Sequence, residues 1–258
     1  MVRTLIADLP SLVGQRVTIE GWMHNMRSFP DFSFVILRDR SGLQQVVLDP
    51  GPALDRLSGL QNESVLRIEG LVVPEERSPT GVDVREANVD VLAPVTEPGP
   101  FELNKKVLKP NLDTFLDHAG YGLRHPLKAA TFRMLSTILS AYREHLVSQG
   151  FTEISTPKIV GSATEGGANV FKVEYFDRMA YLAQSPQLYK QIMVGVFERV
   201  FEIGHVFRAE EHNTSRHLNE YTSLDLEMGF ISSQRDVMDT LARVITAMIH
   251  ALRSPPAS

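Results

Sequence analysis

Charged and imidazole side chains of both signs crowd into residues 207–227, FRAEEHNTSRHLNEYTSLDLE. An arginine guanidinium offers a planar fork of donors to a phosphate or a carboxylate. Recognition of an anion is therefore one interpretation, but a charge cluster alone is more typical of a solvated hairpin loop. The charged and imidazole residues are Arg208, Glu210, Glu211, His212, Arg216, His217 and Glu220.

The elements around this cluster predict a hairpin. The preceding run VFEIGHVF, residues 200–207, is typical of a buried strand, and the residues after the loop alternate. Two strands are therefore expected to bracket a charged loop. Whether that loop does chemistry depends on the rest of the chain.

Composition limits the class of protein. The chain has 258 residues, of which 43% are hydrophobic and 22% are charged, and it has a net charge of -5 and no cysteine. These values exclude a disulfide framework and a thiolate metal site, and no apolar run is long enough to span a bilayer. The opening apolar segment is short and interrupted by Asp8, so a cytosolic location is expected. Nucleic-acid binding would need a local basic or aromatic patch.

The first hundred residues predict a small barrel. Short runs rich in β-branched residues are separated by the turn signals FPD, RSG and SPTG, and residues 52–61 predict a short helix. Five strands with a helix after the third suit an OB-type barrel, although an SH3-like barrel also fits. The predicted strands are residues 16–27, 33–39, 43–49, 65–73 and 82–93.

A proline-rich segment separates the barrel from a second domain. Residues 93–111 carry four prolines and few periodic apolar positions, which indicates a linker. We therefore expect a barrel at 1–93, a linker at 94–128 and a second domain at 129–258.

The second domain predicts helices packed against a mostly antiparallel sheet. Residues 129–149 show helical spacing before the cap Gly150, and residues 151–160 predict a strand broken by Pro157. Further helices are expected at 185–197 and 234–252. The apolar face of the first helix comprises Phe132, Leu135, Ile138, Leu139, Tyr142 and Leu146.

Four features stand in a specific order. A long helix leads into GFTEISTP, and then follow TEGGANVF (164–171), QSPQLYKQ (184–191) and the charged hairpin. Each feature alone is a weak indication of function, because TEGG is typical of a turn and SPQLYK is typical of a helix start. In this order they resemble the motifs of the class II aminoacyl-tRNA synthetases, and within them the aspartyl-tRNA synthetases of the archaeal type. The resemblance implies an α+β chain, with an anticodon-binding OB barrel followed by an antiparallel-sheet catalytic domain.

The resemblance also implies a chemistry for the charged hairpin. These enzymes join L-aspartate to ATP, release pyrophosphate, and pass the aspartyl group to the terminal ribose of the tRNA. The adenylation step needs positioning and neutralisation of phosphate charge rather than a covalent enzyme intermediate. Arg208 would be the catalytic residue, bridging the aspartate carboxylate and the α-phosphate. The other ATP-binding residues would be Glu210 on the adenine amino group, Arg216 and His217 on the distal phosphates, Leu218, and Tyr221 stacked on adenine.

By resemblance, residues of TEGGANVF and QSPQLYKQ would recognise the aspartate substrate. Lys190 and Gln187 are one helical turn apart and can face one pocket. By resemblance they recognise the side-chain carboxylate, with Ser185 nearby and Glu165 taking the ammonium group. A lysine that reads a carboxylate should reject the neutral asparagine. Residues 166–167, both glycines, suit a mobile lid.

Three barrel residues would bind the anticodon. Phe34 on the second strand is equally compatible with a core aromatic, but by resemblance it stacks on the middle anticodon base. Gln45 would read the edge of that base, and Arg27 would also contact the anticodon.

Two further positions bear on the choice of tRNA. Discriminating archaeal-type relatives carry Trp after GWV and Lys in the loop between the last two strands, where this chain has His24 and Pro79. Both resemble the non-discriminating pattern, so charging of tRNA(Asn) as well as tRNA(Asp) is expected.

The chain also departs from the family pattern. The third motif, with its ATP-gripping Arg and upstream acidic magnesium site, is missing, so Mg²⁺ ligands are expected outside this chain and its activity alone is in doubt. By resemblance the first motif forms a homodimer interface, and no membrane association is expected. Two alternatives remain: an asparaginyl-tRNA synthetase, against which QSPQLYKQ argues, and a non-catalytic tRNA-binding protein.

Overall fold

Alternating apolar residues and well-placed turns close the first part of the chain into a five-stranded barrel. The strand order is β1-β2-β3-β5-β4, with β3 and β5 parallel and the other neighbours antiparallel. This arrangement confirms the OB-type prediction. The strands are β1 (Arg16–Ser28), β2 (Ser33–Arg38), β3 (Leu43–Leu48), β4 (Val65–Pro74) and β5 (Val82–Ala93).

The computed structural model describes residues 2–162, 170–212, 214 and 217–253. The chain divides into two units, Met1–Ala129 and Ala130–Ser258. The predicted linker, residues 94–128, falls within the first unit, and its role as a linker stays a prediction. No helix among the described residues is long and apolar enough to cross a membrane.

A short 3-10 helix that the sequence pattern did not indicate completes the barrel core. It spans Ile6–Leu12 and contains Pro10, and its Ile6 and Leu9 are 2% and 0% exposed. The Asp39 carboxylate accepts a hydrogen bond from the backbone N–H of Ile6, with a donor–acceptor distance of 2.9 Å. Seven helical residues give too little apolar periodicity to be recognised.

Three short helices complete the first unit. The helix predicted at 52–61 is confirmed only as α1 (Pro52–Asp55), and turns follow it. Within 94–128 lie α2 (Leu112–Asp117) and α3 (Ala119–Gly122), which the sequence analysis did not foresee. The Asn111 side chain caps α2 by accepting from the N–H of Thr114 at 2.8 Å.

The predicted long helix, the break at Pro157 and the hairpin are all present in the second part of the chain. The helix is α4 (Pro126–Ser148). One sheet has the order β11-β10-β6 and another the order β7-β9-β8. Pro157 lies between β6 and β7, which belong to different sheets. The strands are β6 (Thr152–Glu153), β7 (Ile159–Val160), β8 (Lys172–Tyr175), β9 (Arg178–Leu182), β10 (Arg199–Phe207) and β11 (Glu220–Met228).

Two more helices flank these sheets, α5 (Gln187–Phe197) and α6 (Gln234–Arg253). The predicted cap Gly150 has a φ of +79°, a left-handed conformation that glycine adopts without strain. The second core contains Tyr142, Leu146, Phe151, Phe201 and Val244.

The apolar face predicted on α4 is only partly buried within this chain. Tyr142 and Leu146 at its end are 2% and 0% exposed, whereas Phe132 and Leu135 are 57% and 44% exposed. The first half of this helix therefore presents apolar surface to solvent.

Candidate functional site

The charged segment forms the loop of an antiparallel hairpin, as its sequence predicts. Strands β10 and β11 pair from Arg199 opposite Met228 to Phe207 opposite Glu220. The backbone N–H of Arg208 then donates to the carbonyl of Asn219 at 2.9 Å. Arg208 is therefore held at the point where the paired strands give way to the loop.

A cavity of about 490 Å³ opens beside this hairpin. Its lining joins one guanidinium, one carboxylate, one imidazole and one aromatic ring with an apolar residue. Five of the six predicted ATP-binding residues are thereby brought together, while Arg216 lies outside the described residues. The lining residues are Arg208, Glu210, His217, Leu218 and Tyr221.

Contacts within the loop hold His217 beside this cavity. Its Nδ1 lies 2.7 Å from the Thr214 hydroxyl oxygen, and its Nε2 lies 3.9 Å from a carboxylate oxygen of Glu210. The backbone N–H of His217 also donates to the carbonyl of Thr214 at 3.3 Å. The site therefore offers a guanidinium, an imidazole and a carboxylate to one ligand, which suits a molecule that carries both phosphates and an amino group.

Lys190, predicted to read a carboxylate, is buried on α5 and already has acidic partners. Its Nζ lies 3.0 Å from Oδ1 of Asp225 and 3.5 Å from Oε2 of Glu227. A lysine ammonium has three N–H donors, so these two partners leave one for a ligand.

Asp225 is a site residue that the sequence analysis missed. Its Oδ2 accepts from the Ser223 hydroxyl at 2.6 Å, and its backbone carbonyl accepts from the Tyr142 hydroxyl at 2.9 Å. Burial raises the pKa of Tyr142, and the negative charge of Asp225 raises it further. A signal existed in the sequence, because Ser223, Asp225 and Glu227 alternate along β11 and share one of its faces.

The other predicted aspartate-binding residues are only partly described. Ser185 is buried, and its hydroxyl accepts from the backbone N–H of Gln187 at 3.3 Å. Gln187 is half-buried at the first position of α5, one turn before Lys190. Glu165 and the two glycines at 166–167 lie outside the described residues.

The sequence analysis also did not identify Glu202, an acid that is buried in the structure. Its carboxylate accepts from the backbone N–H of Thr156 at 2.8 Å and from Lys158 Nζ at 2.9 Å. These bonds fasten both residues that flank Pro157 to strand β10. Glu202 lies within the run VFEIGHVF, which is typical of a buried strand, so the sequence pattern did not mark it as a site residue.

On the barrel, two of the predicted anticodon residues lie side by side. The register pairs Arg27 of β1 with Phe34 of β2, and Ile36 of β2 with Gln45 of β3. Phe34 lies between the buried residues Ser33 and Val35 and is itself half-buried. Its ring therefore faces away from the barrel core, and the alternative of a core aromatic is wrong.

Gln45 is oriented by a buried carboxylate. Its Nε2 lies 3.2 and 3.3 Å from the two oxygens of Asp83, whose side chain is 1% exposed. A carboxylate only accepts hydrogen bonds, so the amide nitrogen must face Asp83. Pro79 is exposed in the β4–β5 loop, whose next residue, Thr80, donates to Gln44 at 3.0 Å. This loop is thereby tied to β3 beside Gln45.

His24 lies at a β-bulge in β1 and is 8% exposed. Its Nδ1 lies 3.2 Å from Nη1 of Arg38, which also forms two 2.7 Å hydrogen bonds to Glu63. An arginine can only donate, so Nδ1 of His24 is the acceptor. Burial lowers the pKa of His24 from its ordinary value of 6.5, the charge of Arg38 lowers it further, and Glu63 opposes the shift.

Among the described residues, no group of three or more His, Cys, Asp or Glu side chains could hold a metal ion. The described part of the site therefore does not fit a metal centre of its own.

Curated proteins and solved structures resemble this chain over almost its whole length. The chain is 45% identical to the Aspartate–tRNA(Asp/Asn) ligase of Thermus thermophilus over 96% of its length and 57% of that protein. It is 44% identical to the Aspartate–tRNA(Asp/Asn) ligase of Methanopyrus kandleri over 95% of its length and 58% of that protein. Among solved structures, the asparaginyl-tRNA synthetase of Pyrococcus horikoshii complexed with asparaginyl-adenylate has a TM-score of 0.89 at 30% identity. That similarity covers 97% of this chain and 58% of the solved one.

Two family models match successive parts of the chain. One, described as an OB-fold nucleic acid binding domain, matches residues 17–92. The other, described as tRNA synthetases class II (D, K and N), matches residues 111–257. The second match covers more than half of the chain, which therefore belongs to the class II tRNA synthetases of the D, K and N group.

Proposed function

We propose that this chain supplies the anticodon barrel and the charged hairpin of an aspartate–tRNA ligase. The enzyme would join L-aspartate to ATP as aspartyl-adenylate and then transfer the aspartyl group to tRNA(Asp) and tRNA(Asn). The observation that carries this proposal is the cavity lined by five of the six predicted ATP-binding residues. Because the chain spans about 57% of the relatives it matches, the activity belongs to the whole protein.

Arg208 is the proposed catalytic residue. In the first step an oxygen of the aspartate α-carboxylate attacks the α-phosphorus, and the bond to pyrophosphate breaks. The guanidinium can hold the carboxylate and an α-phosphate oxygen together and neutralise their charge. Its position where the strands end fixes the backbone of this group before the ligands arrive, which favours the reactive geometry.

The other cavity residues would hold the nucleotide. Glu210 would accept from the adenine amino group, and Tyr221 would stack on the ring beside Leu218. His217, held by Thr214, would contact the distal phosphates with Arg216. This division of roles gives the Glu210 carboxylate a hydrogen-bond donor and gives the tyrosine ring a base to stack on.

Aspartate would be selected by Lys190, Gln187 and Ser185. The Lys190 ammonium keeps one donor for the substrate carboxylate after Asp225 and Glu227 have taken two. The neutral amide of asparagine would not compensate the lysine charge equally well. Glu165 would bind the substrate ammonium group.

Enzymes of this family use ATP with a divalent metal. We propose Mg²⁺ as that metal, with ligands outside the described residues, because the described residues hold no suitable cluster. When bound, the metal would balance phosphate charge; the roles given above belong to the chain's own side chains.

Arg27, Phe34 and Gln45 would bind the anticodon, and His24 and Pro79 would allow tRNA(Asn) as well as tRNA(Asp). Support comes from the outward face that Arg27 and Phe34 share and from the names of the relatives, which include both tRNAs. A homodimer and a cytoplasmic location remain predictions.

Two other functions are separated from this one by a charging assay. The similarity to the Pyrococcus horikoshii structure favours asparaginyl-tRNA synthetase as the second candidate. The assay supplies the product of the complete gene with ATP, with either amino acid, and with transcripts of tRNA(Asp) and tRNA(Asn). We expect aspartate on both tRNAs and no asparagine on either. Asparagine on tRNA(Asn) would support the second candidate, and binding of tRNA without charging would support a non-catalytic protein.

A further inference from the structure

Three phenylalanine rings form a continuous cluster at the tip of the β1–β2 hairpin. The rings of Phe29 and Phe32 are stacked, with centroids 5.0 Å apart and planes 25° apart. Each also makes an edge contact with Phe34, at centroid distances of 5.6 and 5.0 Å. The proposed function uses only Phe34, so the other two rings have no role in it.

The hairpin register explains why the rings meet. Arg27 pairs with Phe34, Ser28 pairs with Ser33, and the N–H of Phe29 donates to the carbonyl of Phe32 at 2.8 Å. Side chains of successive cross-strand pairs alternate between the faces of a sheet. The pairs Arg27–Phe34 and Phe29–Phe32 therefore project from the same face, with an arginine at one corner of an aromatic surface.

The barrel core does not account for this cluster. None of the three rings belongs to the buried core of the described barrel, and Phe29 is 47% exposed. A hairpin tip of two residues, Pro30 and Asp31, does not need aromatic residues on both sides to form. A contiguous exposed aromatic surface beside a cation is instead typical of a binding site.

We propose that Phe29, supported from behind by Phe32, stacks on a second unpaired base of the anticodon loop, next to the base on Phe34. Arg27 would contact the phosphate between these two nucleotides. The inference rests on the proposed function, because it takes tRNA as the ligand of the barrel. Three observations favour single-stranded RNA: the match of residues 17–92 to an OB-fold nucleic acid binding domain, the adjacent guanidinium, and the continuity of the surface with Phe34.

The chemistry predicts tolerance for the identity of the second base. Every base has a π-face, so stacking on Phe29 strengthens binding without reading a base edge. Specificity stays with Gln45, whereas Phe29 contributes affinity.

The test measures binding of a fluorescent RNA hairpin with the tRNA(Asp) anticodon arm sequence to the product of the complete gene. Phe29→Leu keeps apolar packing but removes the aromatic face, and we expect it to weaken binding about tenfold. Phe29→Tyr keeps the face and should bind like the unchanged protein. With 2-aminopurine at each unpaired loop position in turn, the protein should quench a position adjacent to the middle anticodon base, and Phe29→Leu should abolish that quenching.

Each contrary result has a distinct meaning. If Phe34→Leu weakens binding while Phe29→Leu and Phe29→Tyr bind like the unchanged protein, the inference is wrong and the anticodon assignment stands. If the unchanged protein does not bind the hairpin, the tRNA-binding part of the proposed function fails as well. If Phe29→Leu lowers only the melting temperature reported by Trp22, the cluster is a structural clamp and the inference is overturned.

Discussion

Lys190 and Asp225, 35 positions apart in the sequence, form an ion pair in which Nζ lies 3.0 Å from Oδ1. Their side chains are 11% and 17% exposed, so water screens the interaction only weakly. The residue proposed to recognise the substrate carboxylate is therefore held in place by an acid of the hairpin strand β11. This contact links the proposed amino-acid site to the strand that also carries Tyr221 of the proposed ATP site.

Asp225→Asn should loosen Lys190 and raise the KM for aspartate about tenfold in pyrophosphate exchange, with a smaller change in kcat. The reason is that a hydrogen bond between charged groups contributes about 1.5–3 kcal/mol. Glu227→Gln is the matched control: its contact is longer, at 3.5 Å, and its side chain is 32% exposed, so a smaller rise is expected. Equal effects of the two changes would argue against Asp225 as the positioning residue.

Lys190→Met should abolish the preference for aspartate over asparagine and lower the free energy of unfolding by about 3 kcal/mol, because it leaves Asp225 without its cation. Urea unfolding followed by circular dichroism measures the stability. Adding Asp225→Asn to Lys190→Met should restore most of the stability but not the preference for aspartate. Recovery of both would show that Lys190 acts only structurally.

The barrel should lose stability as the pH falls below about 6.5, the ordinary pKa of histidine. The pKa of His24 is lowered in the folded protein, so the unfolded chain takes up this proton at a higher pH than the folded one. The stabilisation from neutral His24 is fully present above the unfolded pKa and is lost as the pH falls towards the folded pKa. Trp22, the single tryptophan of the chain, reports unfolding of the barrel in urea.

His24→Gln is the control for this pH dependence, because glutamine can still accept from Arg38 but does not titrate. The urea midpoints of the variant and the unchanged protein should be similar at pH 8, and the midpoint of the unchanged protein should fall below that of the variant at pH 5. Parallel curves over that range would assign the dependence to other groups.

His24→Trp combined with Pro79→Lys should weaken charging of tRNA(Asn) while sparing tRNA(Asp). A tryptophan at the 8% exposed His24 position must displace neighbours, and the loop of Pro79 is tied to β3 beside Gln45. Charging kinetics on both transcripts measure the effect. An equal loss on both would contradict the assignment of these two positions to tRNA choice, provided that Trp22 fluorescence shows an intact barrel.

Local sequence patterns were sufficient for the barrel strands, because alternation and turn residues are short-range signals. The predicted strand at residues 16–27 is Arg16–Ser28 in the structure, and the strand at 82–93 is Val82–Ala93. The helix Ile6–Leu12 was missed because it is short and contains Pro10. Its apolar residues can be recognised as core residues only when the barrel against which they pack is known.

Partners distant in sequence could not be predicted from such patterns. The alternation on β11 shows that Asp225 shares a face with Glu227, but not that this face meets Lys190 of α5. In the same way, Phe34 and Gln45 could be nominated individually, whereas the contact of Gln45 with Asp83 depends on the pairing of β3 with β5.

The most direct test of the central claim is aspartate-dependent exchange of labelled pyrophosphate into ATP by the product of the complete gene. The unchanged protein should catalyse exchange with aspartate and not with asparagine. Arg208→Lys keeps the charge but loses the planar fork, and it should reduce exchange by at least about 100-fold, with Arg208→Ala lower still. Exchange by Arg208→Ala close to that of the unchanged protein would contradict the assignment of the charged hairpin as the site of adenylation.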